Sequence, residues 1–471
     1  MKSLKYKLLV LLMLLCLTPL FGQSYSKGAI LDPVQYSRID VKPTLVSRSY
    51  TSIPRAYSLK QYSPIPESQG QYGTCVGWST AFAARTIAES VALNRTDRTT
   101  TSNNVYSPTF VYKNIADNEG KDGAYIGDAL NFMKNTGAVK RPVIEKTMYT
   151  ANNFKGISLS IFNSYIAYPI SSYVTLFNNP RGVPGKMNER VPPVKKSLAE
   201  KKPVVIAMNC PNSFFNAKDI WRPTESPNVN HGGHAMCVVG YDDDKYGGAF
   251  EILNSWGTDW GNEGYIWISY GDFAAFVDEA YEIMENLANY GEMARFAASI
   301  DIVVFNDRRG MPVTYDRQGF YRTQLTYPEG TLFQYLMTNK QPAYVYAFSM
   351  DNTFTVLERV FPLPGVSPIM DYTESTVAWP DEYTGMELSG PANTDYLVVL
   401  YSKEALDINA IERRFANERG SFVERVEKAV GINLVPFNTV QYNSGKMEFS
   451  AQTQNPKAVL GLLLVIERQR R

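Results

Sequence analysis

The spacing of apolar positions changes character twice along the chain. From Thr74, the run CVGWSTAFAARTIAESVAL places small and apolar residues in a helical rhythm, with Thr74 able to cap its start. SPTFVYKNIADNEG (107–120) and IGDALNFMKNTG (126–137) read as two further helices, the second stopped by Gly137, and VKKSLAEKK (194–202) as a short fourth. Strand signals then take over in PVVIAM (203–208), AMCVVGY (235–241), AFEILNS (249–255) and GYIWISY (264–270), with DDDKYGG (242–248) as a turn. Helices followed by strands give an α+β reading for this part. Beyond residue 290, alternating or wholly apolar runs separated by Gly, Pro and Asn predict a second, mostly β domain over 296–471. One helical run interrupts it (409–430), and AVLGLLLVIE (458–467) is too short for a membrane span and reads as a strand. Residues 150–190 are loop-rich, and 23–60 are polar with scattered Pro and Ser, which predicts an exposed lead-in.

The N-terminus changes the picture. Lys2, Lys5 and Lys7 precede the apolar stretch LLVLLMLLCLTPLFG (8–22), after which the chain turns polar. A basic start followed by a short apolar core is the pattern of a secretory signal peptide. The expected divisions are therefore a signal peptide at 1–22, a lead-in at 23–51, a first folded domain at 52–290 and a β-rich accessory domain at 296–471. The protein is expected to be exported, to a periplasmic or extracellular location, with no integral span once the signal is removed.

Charge adds little. With 47 Lys+Arg against 46 Asp+Glu, nothing calls for nucleic acid or an anionic membrane. No metal-ligand cluster or cofactor motif stands out, so no cofactor is expected. Removal of the signal would leave Cys75, Cys210 and Cys237, an odd set, so a disulfide framework is not the main design. A Cys210–Cys237 bridge is conceivable, but both lie in apolar, strand-like runs.

The candidate chemistry starts from an inventory. The chain has only two histidines, His231 and His234, both in NVNHGGHAMCVVGYDDD. If Cys75 is a nucleophile, its base is one of these two. A thiol attacks as thiolate, and a neighbouring imidazolium or a helix N-terminus favours that form. An orienting group for the imidazole and an oxyanion donor complete the requirement. Asn254 in LNSWG can orient the ring, with Trp256 as a shield. Gln69 can supply a side-chain amide, and the Cys75 N–H a second donor.

These motifs together resemble the papain family of cysteine peptidases: QGQYGTC with Gln69 and Cys75, GGHAMCVVGY with His234, and NSWGTDWGNEGYIWI with Asn254 and Trp256. Their order, Cys then His then Asn, is the family's order, and the likeness covers roughly residues 52–285. The resemblance implies an α+β fold of two lobes, a helical N-terminal lobe and a β-barrel-like C-terminal one, followed here by the mostly-β domain. It implies Cys75 as nucleophile, His234 as base, Asn254 as orienting residue and Gln69 as oxyanion donor, acting on a peptide or protein substrate. It further implies substrate contacts from Gly123, Ala207, Gly233, Ala235 and Trp256. His231 has no family role. Tyr72, Thr74 and Val76 depart from the family pattern of cysteine, serine and aromatic residue around the nucleophile. A binding protein built on the same scaffold, or an amidase acting on cell-wall peptides, remains an alternative. The accessory domain is expected to be a non-catalytic docking module. How such a peptidase is held latent without a long prosegment stays open.

Overall fold

The computed structural model describes residues 25–116, 121–141, 166–178, 187–286, 294–316, 319–354, 357–389 and 393–469. The signal-peptide reading of 1–22 lies outside them, as does much of the loop-rich 150–190 stretch.

The run beginning at Cys75 is α-helical over Cys75–Gly77, π-helical over Trp78–Arg85 and α-helical again over Thr86–Ala92. Thr74 occupies the cap position but its side chain makes no capping hydrogen bond, contrary to the expectation. Helices Pro108–Ile115 and Ile126–Asn135 pack beside it, each turning apolar residues inward. The fourth helix is longer than the sequence suggests, Met187–Ala199, and takes Pro192 and Pro193 inside it.

Among the described residues, eight strands build one sheet: β1 (Ala56–Ser58), β2 (Ser172–Thr175), β3 (Val204–Asn209), β4 (Ile220–Trp221), β5 (Gly233–Asp242), β6 (Ala249–Leu253), β7 (Tyr265–Ser269) and β8 (Val277–Met284). The order is β2-β8-β3-β5-β6-β7-β4, with β1 on β5. Strands β3 and β5 lie at its centre, and their side chains are almost all buried on both faces. This explains why they read as unbroken apolar runs. The helices and this sheet share one core that contains Cys75, Cys210 and Cys237; all three thiols are free. The conceivable Cys210–Cys237 bridge is therefore not formed.

Among the described residues, the accessory domain places a seven-stranded sheet against a six-stranded one. Alternation settles which way each side chain faces. Val345, Ala347, Leu397, Val399, Leu462 and Leu464 enter the core between the sheets. Their neighbours Tyr346, Phe348, Val398, Leu400, Leu463 and Val465 face the other way, against two helices. Those helices are Ile408–Asn417 and Phe422–Val430. The single run expected over 409–430 is thus broken, at Gly420 (φ +126°), and restarted by a capping box of Ser421 and Glu424.

The expected exposed lead-in is the largest correction. Ala29 and Tyr36 belong to the first domain's core and Leu45 to the accessory core. Val41 bridges Thr175 on one side and Val366 on the other, and the Val46 N–H donates to the Thr376 carbonyl at 2.9 Å. Between them Lys42, 3 % exposed, places its ammonium 2.6 Å from Glu282 of β8 and 2.9 Å from Asp371 of the accessory domain. Lys202 reaches Asp371 at 2.7 Å. Burial would raise the Asp371 carboxyl, but the two ammonium groups hold it far below the ordinary range. Burial and the adjacent Asp371 push Glu282 the other way, upward.

Candidate active site

Each candidate side chain is delivered by a different local feature. Cys75 opens the long helical run, His234 is the second residue of β5, and Asn254 follows the last residue of β6. Gln69 lies in the approach to the helix, tied by its N–H to the Ser255 carbonyl at 2.8 Å. The Ala235 N–H points at the Cys75 sulfur at 3.4 Å, so the thiol lies against the residue that follows His234.

The imidazole's protonation follows from its neighbours. His234 Nε2 is 2.8 Å from Asn254 Oδ1. The same oxygen accepts the Ser255 N–H at 2.8 Å, and this unambiguous donor fixes the orientation of the Asn254 amide. An oxygen acceptor requires Nε2 to carry the proton. That leaves Nδ1 as the basic nitrogen, and among the described residues it is buried with no hydrogen-bond partner. Trp256 lies over the imidazole at 4.5 Å and 21°, covering the His234–Asn254 bond.

Gln69 is oriented with equal care. Its Oε1 accepts the Ser255 hydroxyl at 2.5 Å, which turns Nε2 outward to donate to the Tyr72 carbonyl at 2.8 Å and the Ser26 carbonyl at 3.3 Å. Tyr72, where the family pattern has cysteine, thus contributes a backbone acceptor. Val76 is fully buried. Of the remaining candidates, Ala207 pairs with Ala235 across β3 and β5, and both are buried. Gly123 and Gly233 line the cleft with backbone. The His231 ring is turned to the Ser226 carbonyl, at 2.9 Å, instead of to Asn254.

What fills this cleft carries no motif of its own. Residues 25–31 cross it as a strap. Ala29 makes an antiparallel bridge to Gly233 and a parallel one to Ala124. The Ile30 N–H donates to the Ala124 carbonyl at 2.9 Å, and the Ala124 N–H to the Gly28 carbonyl at 2.9 Å. The approach is close enough to require glycine: a Cβ on Gly28 would stand 2.0 Å from the Gly73 oxygen, and one on Gly233 2.2 Å from the Ala29 oxygen. At the other end Tyr25 stacks on Trp256 at 4.9 Å, and the Ser26 carbonyl accepts the Trp256 indole N–H at 2.9 Å.

The Gly28 N–H donates to the Gly233 carbonyl at 3.2 Å and is one of the backbone donors that favour the Cys75 thiolate. The strap also dries the site. Burial pushes the Cys75 thiol up to about 12, against the pull of N–H donors from Ala235, Gly28, Cys75 and Val76. Burial pushes His234 down to about 4; the Asn254 hydrogen bond opposes this, and the charge of Lys27 on the strap adds to it. With the strap seated, both partners are held neutral.

The first domain has known relatives. Residues 57–285 match the model described as papain family cysteine protease. Relatives include cathepsin K of Mus musculus, 24% identical over 220 residues (44% of this chain, 57% of that protein), and cathepsin L of Sarcophaga peregrina, 25% identical over 238 residues (48% and 62%). The chain thus spans somewhat more than half the length of these relatives. Similar solved structures include xylellain, a cysteine protease from Xylella fastidiosa, at a TM-score of 0.42 and 22% identity, covering 56% of this chain and 97% of that one. Digestive procathepsin L2 of Tenebrio molitor larval midgut has a TM-score of 0.42 and 19% identity, covering 57% and 81%. Residues 57–285, which hold the motifs of Cys75, His234 and Asn254, thus match the papain family of cysteine proteases.

Proposed function

We propose that the chain is an exported cysteine peptidase, held latent by its own N-terminal strap. The observation that carries this reading is the fixed tautomer of His234: Nε2 is committed to Asn254, and Nδ1 is left basic in the pocket that holds the thiol. Once the strap leaves, the Cys75 proton passes to His234 Nδ1 and the thiolate attacks a peptide carbonyl, forming the C–S bond. Gln69 Nε2 and the Cys75 N–H hold the oxyanion. The imidazolium protonates the leaving amine as the C–N bond breaks, giving a thioester. A water deprotonated by His234 attacks that thioester, and the C–S bond breaks with release of the acid and return of the proton to sulfur.

Export rests on the basic and apolar pattern of residues 1–22; among the described residues no helix is long and apolar enough to cross a membrane. For the accessory domain, the contacts of Val41, Lys42 and Leu45 favour a role in anchoring the lead-in over docking to an outside surface. Hydrolysis of a peptide library, with labelling by a thiol-directed peptidyl epoxide, tests the activity: Cys75→Ala abolishes both. N-terminal sequencing of secreted protein tests export, and a start upstream of residue 20 would refute cleavage at the expected site.

A further inference from the structure

The strap also marks where side chains fit, and one position is built for a cation. Lys27 Nζ donates to two backbone carbonyls, Cys210 at 2.8 Å and His231 at 2.5 Å, and lies 5.3 Å from the centre of the Phe215 ring. The carbonyls are held from behind. Buried Asn209 accepts the His231 N–H at 2.8 Å and donates to the Val229 carbonyl at 2.7 Å, while the Cys210 N–H donates to Gly232 at 2.9 Å. Glu225 is tied to the turn that carries Phe215: its carboxylate accepts the Ser213 N–H at 2.9 Å and the Ser213 hydroxyl at 2.6 Å. Slight burial opposes ionisation, but hydrogen bonds from Ser213 and Thr224 hold its carboxyl down at about 2, so it is charged at neutral pH. Fixed carbonyls, an aromatic face and a nearby carboxylate suit an ammonium or guanidinium, and no donor among these groups suits an anion.

The position relative to the cut follows from the chemistry. The leaving amine takes its proton from His234, so the residue after the cut lies on the side of His234 and Trp256. Lys27 is on that side: the carbonyl of Ser26, the residue before it, accepts the Trp256 indole N–H at 2.9 Å, and its own ammonium lies on the His231 carbonyl. We propose that this is a specificity subsite, in which the Cys210 and His231 carbonyls and the Phe215 ring select lysine or arginine in the segment just after the cleaved bond. It rests on the peptidase reading for its catalytic meaning, but not for the binding itself.

Two measurements on the full chain test it. In the first, Cys75 alkylation by iodoacetamide is followed by mass spectrometry. Lys27→Arg alkylates at close to the parent rate and Lys27→Leu about 10-fold faster, because the strap loses a charge-assisted hold. The free peptide YSKGAIL slows alkylation of the Lys27→Leu protein, and YSEGAIL does so about 10-fold less well. In the second, new N-termini from a digested peptide library carry Lys or Arg in the first two positions more often than Leu or Glu. Glu225→Gln and Phe215→Leu both shrink that preference. Equal protection by the Lys and Glu peptides, or no basic enrichment among cut sites, overturns the subsite. Absence of all hydrolysis with peptide discrimination intact refutes the peptidase reading and leaves the subsite standing.

Discussion

The Ser26 carbonyl lies between the side-chain amide of Gln69, at 3.3 Å, and the indole N–H of Trp256, at 2.9 Å. A carbonyl from the chain itself thereby uses the donor that a reacting peptide would need under the proposed function. The Gly28 N–H meanwhile donates to the Gly233 carbonyl at 3.2 Å. Under the proposed function, the strap occupies the cleft with its carbonyls committed elsewhere, that of Ser26 to Gln69 and Trp256 and that of Gly28 to the Ala124 N–H.

Expelling the strap should expose the thiol. Gly28→Ala puts a Cβ 2.0 Å from the rigid Gly73 carbonyl, a position that backbone must vacate. The seated state then loses most of its population, and Cys75 alkylation by iodoacetamide is expected to rise at least ~10-fold. Circular dichroism should be unchanged, since the helices and β1–β8 do not depend on Gly28. An alkylation rate equal to the parent's would show that the strap does not occlude the thiol.

Acidification should have the same effect by another route. With the strap seated, His234 takes a proton only near pH 4, whereas a solvated imidazole takes one near 6.5. A group whose pKa is depressed in one state favours the other state as the pH falls. The seated form therefore loses stability progressively from about pH 6.5 to about 4, by up to ~3 kcal/mol, and the loss levels off below that. Full-length protein is expected to show a lag in peptide hydrolysis that shortens as pH drops through this window and returns at pH above 7. His234→Gln should abolish the pH dependence of Cys75 alkylation in the same range.

In the proposed mechanism Gln69 serves both states, which gives Gln69→Ala a double signature. Losing the oxyanion donor should lower kcat by roughly 10²-fold with little change in KM. Losing the bond to Ser26 should at the same time loosen the strap, so alkylation of Cys75 becomes faster while turnover becomes slower. A variant that is merely misfolded would slow turnover and lower the thermal midpoint together, without this opposition.

The parts of the site carried by short motifs were legible in the sequence. Cys75, His234, Asn254 and Trp256 each sit in a stretch whose neighbours fix local geometry, and the shortage of histidines restricted the base to two residues. The strap was not legible. Tyr25–Leu31 has the small and polar composition of a loop, and its burial depends on Ala124 and Gly233, remote in sequence. Strand β8 was missed for a related reason. Its sequence VDEAYEIM carries carboxylates that break the apolar pattern, yet Glu279 accepts the Tyr281 hydroxyl at 2.8 Å and Glu282 meets Lys42. Charged partners supplied by distant segments erase the signal that periodicity depends on.

Those same partners give the last prediction. Lys42 joins the lead-in to both folded domains, through Glu282 on one side and Asp371 on the other. Removing the ammonium leaves two buried carboxyl groups facing each other with Lys202 as the remaining cation nearby. Loss of one partner from a buried ion cluster costs about 3–5 kcal/mol, well above that of an exposed pair. Lys42→Ala should therefore lower the thermal midpoint, and because Lys42 lies eleven residues beyond Leu31 on the same segment, it should also release the strap and speed Cys75 alkylation. Lys42→Met combined with Asp371→Asn removes one charge of each sign and should recover part of the stability. If Lys42→Ala destabilises the protein while alkylation below the unfolding transition stays at the parent rate, the anchor and the strap are energetically separate, and the accessory domain has no part in keeping the cleft closed.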